Sequence, residues 1–313
     1  MNRLSLTPLM QVLKKLNPFL ALSRTPHGLI DMTAPMAAAL LCMGHFPPLD
    51  LVVVGLVTVF AGYTAVYALN DLVDLRTDKQ KVRIGGYADG EDYLDGALTR
   101  HPMAKGVLGL PAGLAWTVGW AVVAMVGAYW LNPLCLYLFL FGCLLEGIYC
   151  LLWRVTPLRA LVNGIVKTLG AVAAVYAVDP DPPVLFVLTL VLWLFCWEIG
   201  GQNIPADWTD IDEDRHFKAK TIPLLLGTRR AGVISLLCLV TSMLLHFALL
   251  LVSPPKFGSF YLVCALALNA GLLLAPAIAL AHSQERRNAM DLFNKASYYP
   301  MATLLLVLVK LIV

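Results

Sequence analysis

The chain has 313 residues, of which 59% are hydrophobic and 14% charged, with a formal net charge of +3. A soluble domain is about 45–50% apolar and about 25% charged, so this composition excludes a water-soluble enzyme. It excludes a disordered chain as well, and the small, dispersed positive charge argues against nucleic acid as a partner.

Residues 1–27 carry Lys14, Lys15 and Arg24 among apolar residues, with prolines at 8, 18 and 26. No sustained apolar run precedes a cleavage-like site, so an interfacial amphipathic segment is expected rather than a signal peptide. Nine segments then follow that meet the bilayer requirement of about 20 mostly apolar residues. They are 28–46, 50–70, 106–131, 133–152, 158–178, 183–204, 231–252, 258–282 and 296–313. Their apolar runs are continuous, not alternating, which predicts helices and not barrel strands. The expected fold is therefore all-α, a single polytopic membrane domain over 1–313 with nine transmembrane helices in a bundle. Every Lys and Arg except Lys167, Lys256 and Lys310 falls in the N-terminal segment or at the connections after the even-numbered segments. That bias predicts a cytoplasmic N-terminus, with the same connections on the cytoplasmic side. A bacterial inner membrane or an archaeal cell membrane is the expected location. The seven cysteines lie in apolar stretches without C-x-x-C spacing and read as small packing residues.

Charge is concentrated in two cytosolic motif loops, 71–105 and 205–230. The first opens Asn70-Asp71-x-x-Asp74-x-x-x-Asp78 and the second holds Asn203-x-x-x-Asp207-x-x-Asp210-x-x-x-Asp214. On a helix turning about 100° per residue, each set forms one stripe of three carboxylates and an amide oxygen, with Asp71 at the edge of the first. Like charges at this spacing repel, so each stripe calls for a counter-charge. Mg²⁺ fits, because it takes carboxylate oxygens and completes its shell with water and substrate phosphate oxygens. A polar helix end facing water explains a single stripe equally well. Two matched stripes on one side of the membrane favour metal–phosphate binding at a cytosolic-side active site.

These residues resemble the paired aspartate motifs of the UbiA-type intramembrane prenyltransferase superfamily. Lys220-Thr221-Ile-Pro223 with Gly227 resembles the segment after the second motif, and Tyr149, Arg154, Thr156, Asn163 and Gly164 resemble the motif between the fourth and fifth helices. The chain departs from the family pattern at Trp153, where a lysine is common. Its Arg100-His101-Pro102-Met-Ala-Lys105-Gly106 stands for an Arg-Pro…Ser-Gly element, displaced by an acidic, Gly-rich insertion over 85–98.

The resemblance implies Mg²⁺-dependent transfer of an isoprenyl chain from a prenyl diphosphate donor to a lipophilic acceptor within the lipid bilayer. Asn70, Asp71, Asp74 and Asp78 are then expected to hold one metal, and Asn203, Asp207, Asp210 and Asp214 the other. Asp71, Asp74, Asp207, Asp210 and Glu198 are the expected catalytic residues. Arg83, Arg100, Arg154, Lys218 and Lys220 are expected on the phosphates, with Tyr149 and Asn163 at the substrate, although Lys218 could equally sit near lipid headgroups. Tyr63, Tyr67, Tyr149 and Trp197 could stabilise an allylic cation or simply pack. Asp31, Glu146, Lys167 and Glu198 fall inside predicted spans, where ionisable groups default to function. Glu198 is expected to orient the acceptor or collect its proton, or else to pair with Lys167. Glu146 is a second expected partner of Lys167, and Asp31 is expected to face headgroups. An aromatic quinone precursor such as a hydroxybenzoate is the expected acceptor. The alternatives are a glycerol-type lipid, a porphyrin or a phosphorylated sugar, and, in another class, an ion transporter with acidic gates.

Overall fold

The computed structural model describes residues 8–85 and 98–313, with side chains from Lys14 onward. The acidic insertion therefore lies, over 86–97, outside the described residues. All regular structure among the described residues is helical. Eight helices are long and apolar enough to cross a membrane.

The first predicted span, 28–46, is not one of the eight. It is divided at Met32 into α2 (Thr25–Asp31) and α3 (Thr33–Met43), preceded by α1 (Pro8–Leu22). Pro35 has no N–H to offer the carbonyl of residue 31, so the ladder breaks there. α1 does more than lie at an interface. Its Leu22 and Phe19 pack with Ala68, Met103 and Leu108 behind the first aspartate motif.

α4 (Leu49–Arg83) begins after Pro47-Pro48 and runs for 35 residues. Residues 71–83 thus continue a membrane helix instead of forming a loop, because no Gly or Pro interrupts them before Gly85, whose φ is 84°. α5 (Leu110–Leu131) and α6 (Pro133–Leu151) meet at Asn132, whose side chain accepts the Leu134 N–H at 2.9 Å and caps α6. α7 (Arg159–Val178) follows, then α8 (Val184–Trp197).

α8 passes through a π-helical turn, Glu198–Asn203, into α9 (Ile204–Thr209). π-turns are rare and collect at functional sites. Two glycines permit this one. A Cβ on Gly200 would lie 2.7 Å from the Ser235 carbonyl oxygen, and one on Gly201 would lie 2.9 Å from Ala296 Cβ. Ser235 Oγ donates to the Gly200 carbonyl at 2.5 Å. The chain breaks at Asp210 and resumes as α10 (Ile211–His216) and α11 (Ile222–Leu226), so the second motif is not one continuous helical stripe.

α12 (Thr228–Val252), α13 (Ser259–Asn269), α14 (Ala275–Ser283) and α15 (Arg286–Ile312) complete the bundle. The largest core lies among α3, α7, α8, α12 and α15, around Phe186, Leu190, Trp193, Leu239 and Tyr299. Side chains such as Val126, Leu144, Leu188, Leu237 and Phe260 are exposed, as expected where the solvent is lipid. The chain is a multi-pass integral membrane protein.

Candidate active site

A cavity of about 540 Å³ runs inside the bundle, lined along α4 from Leu51 to Lys81. At about 1.5 Å per residue that stretch covers on the order of 45 Å. One end is apolar, with Leu51, Val59, Leu138, Phe139 and Val178; the other is charged. Packing of α4, α6, α7 and α9 brings Asn70, Asp74 and Asp78 to the same charged end as Asn203, Asp207, Asp210 and Asp214. Glu198, Arg100, Tyr149 and Asn163 line the cavity too.

Asp71 faces elsewhere. It is buried beside the cavity, where His101 Nδ1 lies 3.1 Å from its Oδ1 and 3.0 Å from Asp78 Oδ2. The displaced Arg100–Gly106 element achieves this through left-handed φ values of 51° at His101 and 75° at Gly106. These three residues bring ligand atoms within 4.8 Å of one another. Burial alone would lower the imidazole, but the two carboxylates outweigh it and raise His101 to about 9. The two carboxylates thus favour its protonated form, in which it serves as their counter-ion.

Four cations expected on phosphate lie outside the cavity lining. Arg83, Arg154, Lys218 and Lys220 are all exposed. Arg154 instead stacks over Trp153 and Phe217 at 5.2 and 5.6 Å. The cations that do line the charged half are Arg24, Lys81, Arg100, His101 and Arg159.

Arg159 is one that sequence reading overlooked. Its Nη2 donates to Asp207 Oδ1 at 2.6 Å, both side chains being buried, and its guanidinium covers the Tyr149 ring at 4.6 Å. A signal was present: a cation in the first turn of a membrane helix faces the positive end of the helix dipole and needs a carboxylate. Lys81 joins the motifs from the other side, 4.0 Å from Asp214 and 4.5 Å from the Trp153 ring centroid. Trp153, the departure from the family pattern, thus supports a lysine supplied by α4. Burial and the neighbouring Asp207 push the Asp214 carboxyl up to about 7.

The intramembrane ionisable residues pair differently from expectation. Lys167 donates to Asp31 at 2.5 Å and to the Tyr67 hydroxyl at 2.9 Å. Asp31 is buried, also accepts the Tyr67 hydroxyl, and so does not face headgroups. Glu146 accepts Asn70 Nδ2 at 2.6 Å, and Glu198 accepts Asn163 Nδ2 at 2.7 Å. Tyr63, Tyr67 and Tyr149 line the cavity, whereas Trp197 packs in the core and donates to the Ala296 carbonyl.

The donor set fits a hard divalent cation with a phosphate ligand. Asn203 Oδ1 is buried without a hydrogen-bond partner beside three carboxylates, and Arg159 Nε is a buried donor without one. An oxygen acceptor and a guanidinium donor left open are what a metal-bound phosphate would satisfy.

The description of the UbiA prenyltransferase family matches residues 32–299. The chain belongs to that family. It is a prenyltransferase, which sets aside the ion-transporter alternative. It is 22% identical over 271 residues to the digeranylgeranylglyceryl phosphate synthase of Thermococcus kodakarensis, covering 87% of this chain and 89% of the relative. Among solved structures, the apo form of a UbiA homologue from Aeropyrum pernix K1 aligns with a TM-score of 0.69 and 22% identity, covering 90% of this chain and 97% of that one. A UbiA homologue from Archaeoglobus fulgidus bound to GPP and Mg²⁺ aligns with a TM-score of 0.64 and 14% identity, covering 95% and 100%. Both likenesses show the shared fold of this UbiA-family chain.

Proposed function

We propose that this prenyltransferase alkylates the hydroxyl of a glycerol-type lipid, using a prenyl diphosphate donor and Mg²⁺. The observation that carries the reading is a single cavity with both aspartate motifs and Arg159 at one end and an apolar channel at the other. A diphosphate with a long hydrocarbon tail has that distribution of polarity. The name of the Thermococcus relative supports a glycerol acceptor over an aromatic quinone precursor, as does the Mg²⁺ and GPP of the Archaeoglobus homologue for the donor side.

Bound Mg²⁺ would supply charge neutralisation of the leaving diphosphate. Asn70, Asp74 and Asp78 on one side and Asn203, Asp207, Asp210 and Asp214 on the other would hold it, with Asp71 fixed on His101 behind them. Arg159 presents its free Nε–H to a phosphate oxygen, while Asp207 fixes the guanidinium plane. Lys81 and Arg100 add positive charge at the same end. Tyr149 and Tyr67 line the cavity, their rings already under the cations of Arg159 and Lys167. The bundle excludes the water that would quench an allylic cation. The lysine and arginine distribution supports placing the charged end in the cytoplasm.

The test offers purified protein several prenyl diphosphates with Mg²⁺ and a panel holding a prenylated glycerol phosphate, a hydroxybenzoate, a porphyrin and a phosphorylated sugar. Mass spectrometry of products should show an ether on the glycerol compound. A product from the hydroxybenzoate alone would restore the aromatic reading.

A further inference from the structure

Three residues on one face of α7 divide the cavity wall into levels. Arg159, Asn163 and Lys167 are spaced i, i+4 and i+8, so their side chains stack about 6 Å apart along the helix. All three line the cavity. Arg159 holds Asp207 at the phosphate level. One turn deeper, Asn163 holds Glu198 by its Oε1, and Glu198 is only 2% exposed. The second oxygen, Oε2, is buried with no hydrogen-bond partner. One further turn deeper, Lys167 spends two of its three N–H groups on Asp31 and Tyr67.

Glu198 and Lys167 influence each other electrostatically, yet no ion pair joins them. A buried acceptor on Glu198 and a half-buried donor on Lys167 therefore line one cavity without bonding each other. Leaving Glu198 Oε2 buried without a partner is costly, and a hydroxyl is the small group that can donate to it while accepting the remaining Lys167 N–H.

Resting on the glycerol-lipid reading above, we propose that Glu198 and Lys167 together form the acceptor-hydroxyl site. The hydroxyl oxygen accepts the third Lys167 N–H and points its proton at Glu198 Oε2. Its other lone pair forms the new C–O bond to the first carbon of the prenyl chain. The C–O bond to diphosphate breaks with its electron pair on the leaving oxygen, and the hydroxyl proton passes to the Glu198 carboxylate. Asn163 and Asp31 are positioning residues that fix the carboxylate and the ammonium.

The test uses the full-length protein with Mg²⁺, a prenylated glycerol phosphate as acceptor, and its analogue with hydrogen in place of the free hydroxyl. Glu198→Gln keeps the Asn163 contact and removes the base; Lys167→Met combined with Asp31→Asn removes the donor without stranding a buried charge. Both should bind a non-hydrolysable prenyl thiolodiphosphate as tightly as wild type. Glu198→Gln should lower transfer to the acceptor by about 10²–10⁴-fold. The wild-type preference for the hydroxyl acceptor over the deoxy inhibitor in binding should shrink toward unity in both variants. If wild type prenylates the glycerol acceptor but both variants keep that preference and their rate, this inference fails alone. If wild type prenylates only an aromatic acceptor, the inference fails together with the reading beneath it.

Discussion

Arg159, in the first turn of α7, and Asp207, in the second aspartate motif on α9, form a buried ion pair at 2.6 Å. The pair ties the middle of the chain to the second motif and places a guanidinium edge in the cavity. Arg154, five residues earlier, lies exposed against Trp153 and Phe217.

Replacing Arg159 by Met should leave Asp207 uncompensated. Breaking a buried pair from one side costs about 3–5 kcal/mol, which a thermal melt in detergent would register. Loss of a charge-assisted phosphate contact should also slow turnover by about 10- to 100-fold. Arg154→Ala should change turnover by about twofold or less, the range of an ordinary surface substitution.

Asp74→Asn and Asp210→Asn each remove one carboxylate from a cavity-facing motif. Mg²⁺-dependent transfer should vanish in both, with the far-ultraviolet spectrum unchanged. Full activity in either variant would refute the two-motif metal assignment.

His101 provides a pH-dependent contribution to stability. Its folded value of about 9 stands above the ordinary imidazole value of about 6.5. The stabilisation is therefore fully present below about pH 6.5 and lost as pH rises through about 9. Melting temperature of the Mg²⁺-free protein should fall across that window. In His101→Gln the fall should flatten, and the protein should be less stable at pH 6 because Asp71 and Asp78 then share no cation.

Gly200 tests the π-turn. A methyl there meets a backbone carbonyl oxygen at 2.7 Å, so Gly200→Ala should destabilise by about 1–3 kcal/mol. Because Glu198 and Asn203 bound the same turn, turnover should fall alongside stability. An unchanged melting temperature would mean that α12 yields easily.

The sequence alone determined the solvent and pointed to metal–phosphate binding, and the reaction class followed from its resemblance to a known family. Scarce charge in long apolar runs can only be a helical membrane domain, and the D-x-x-D-x-x-x-D spacings are local enough to read without a fold. Local patterning even exposed the acids buried in the spans. It leaves 28–46 as one span, because hydropathy does not register that Pro35 lacks the N–H that would bond the Asp31 carbonyl. It also ended α4 too early, because polar side chains at a helix end look like a loop.

Partners across helices were decided only by tertiary structure. Asp71 and Asp78 share His101, Asn70 meets Glu146, Lys167 takes Asp31 rather than either glutamate, and Arg159 displaces Arg154 from the site. Each contact depends on the rotation and depth of one helix against another, set by packing at places such as Gly200 and Gly201. Charge scarcity along the chain marks where a site must lie; the packing angles choose which charges meet in it.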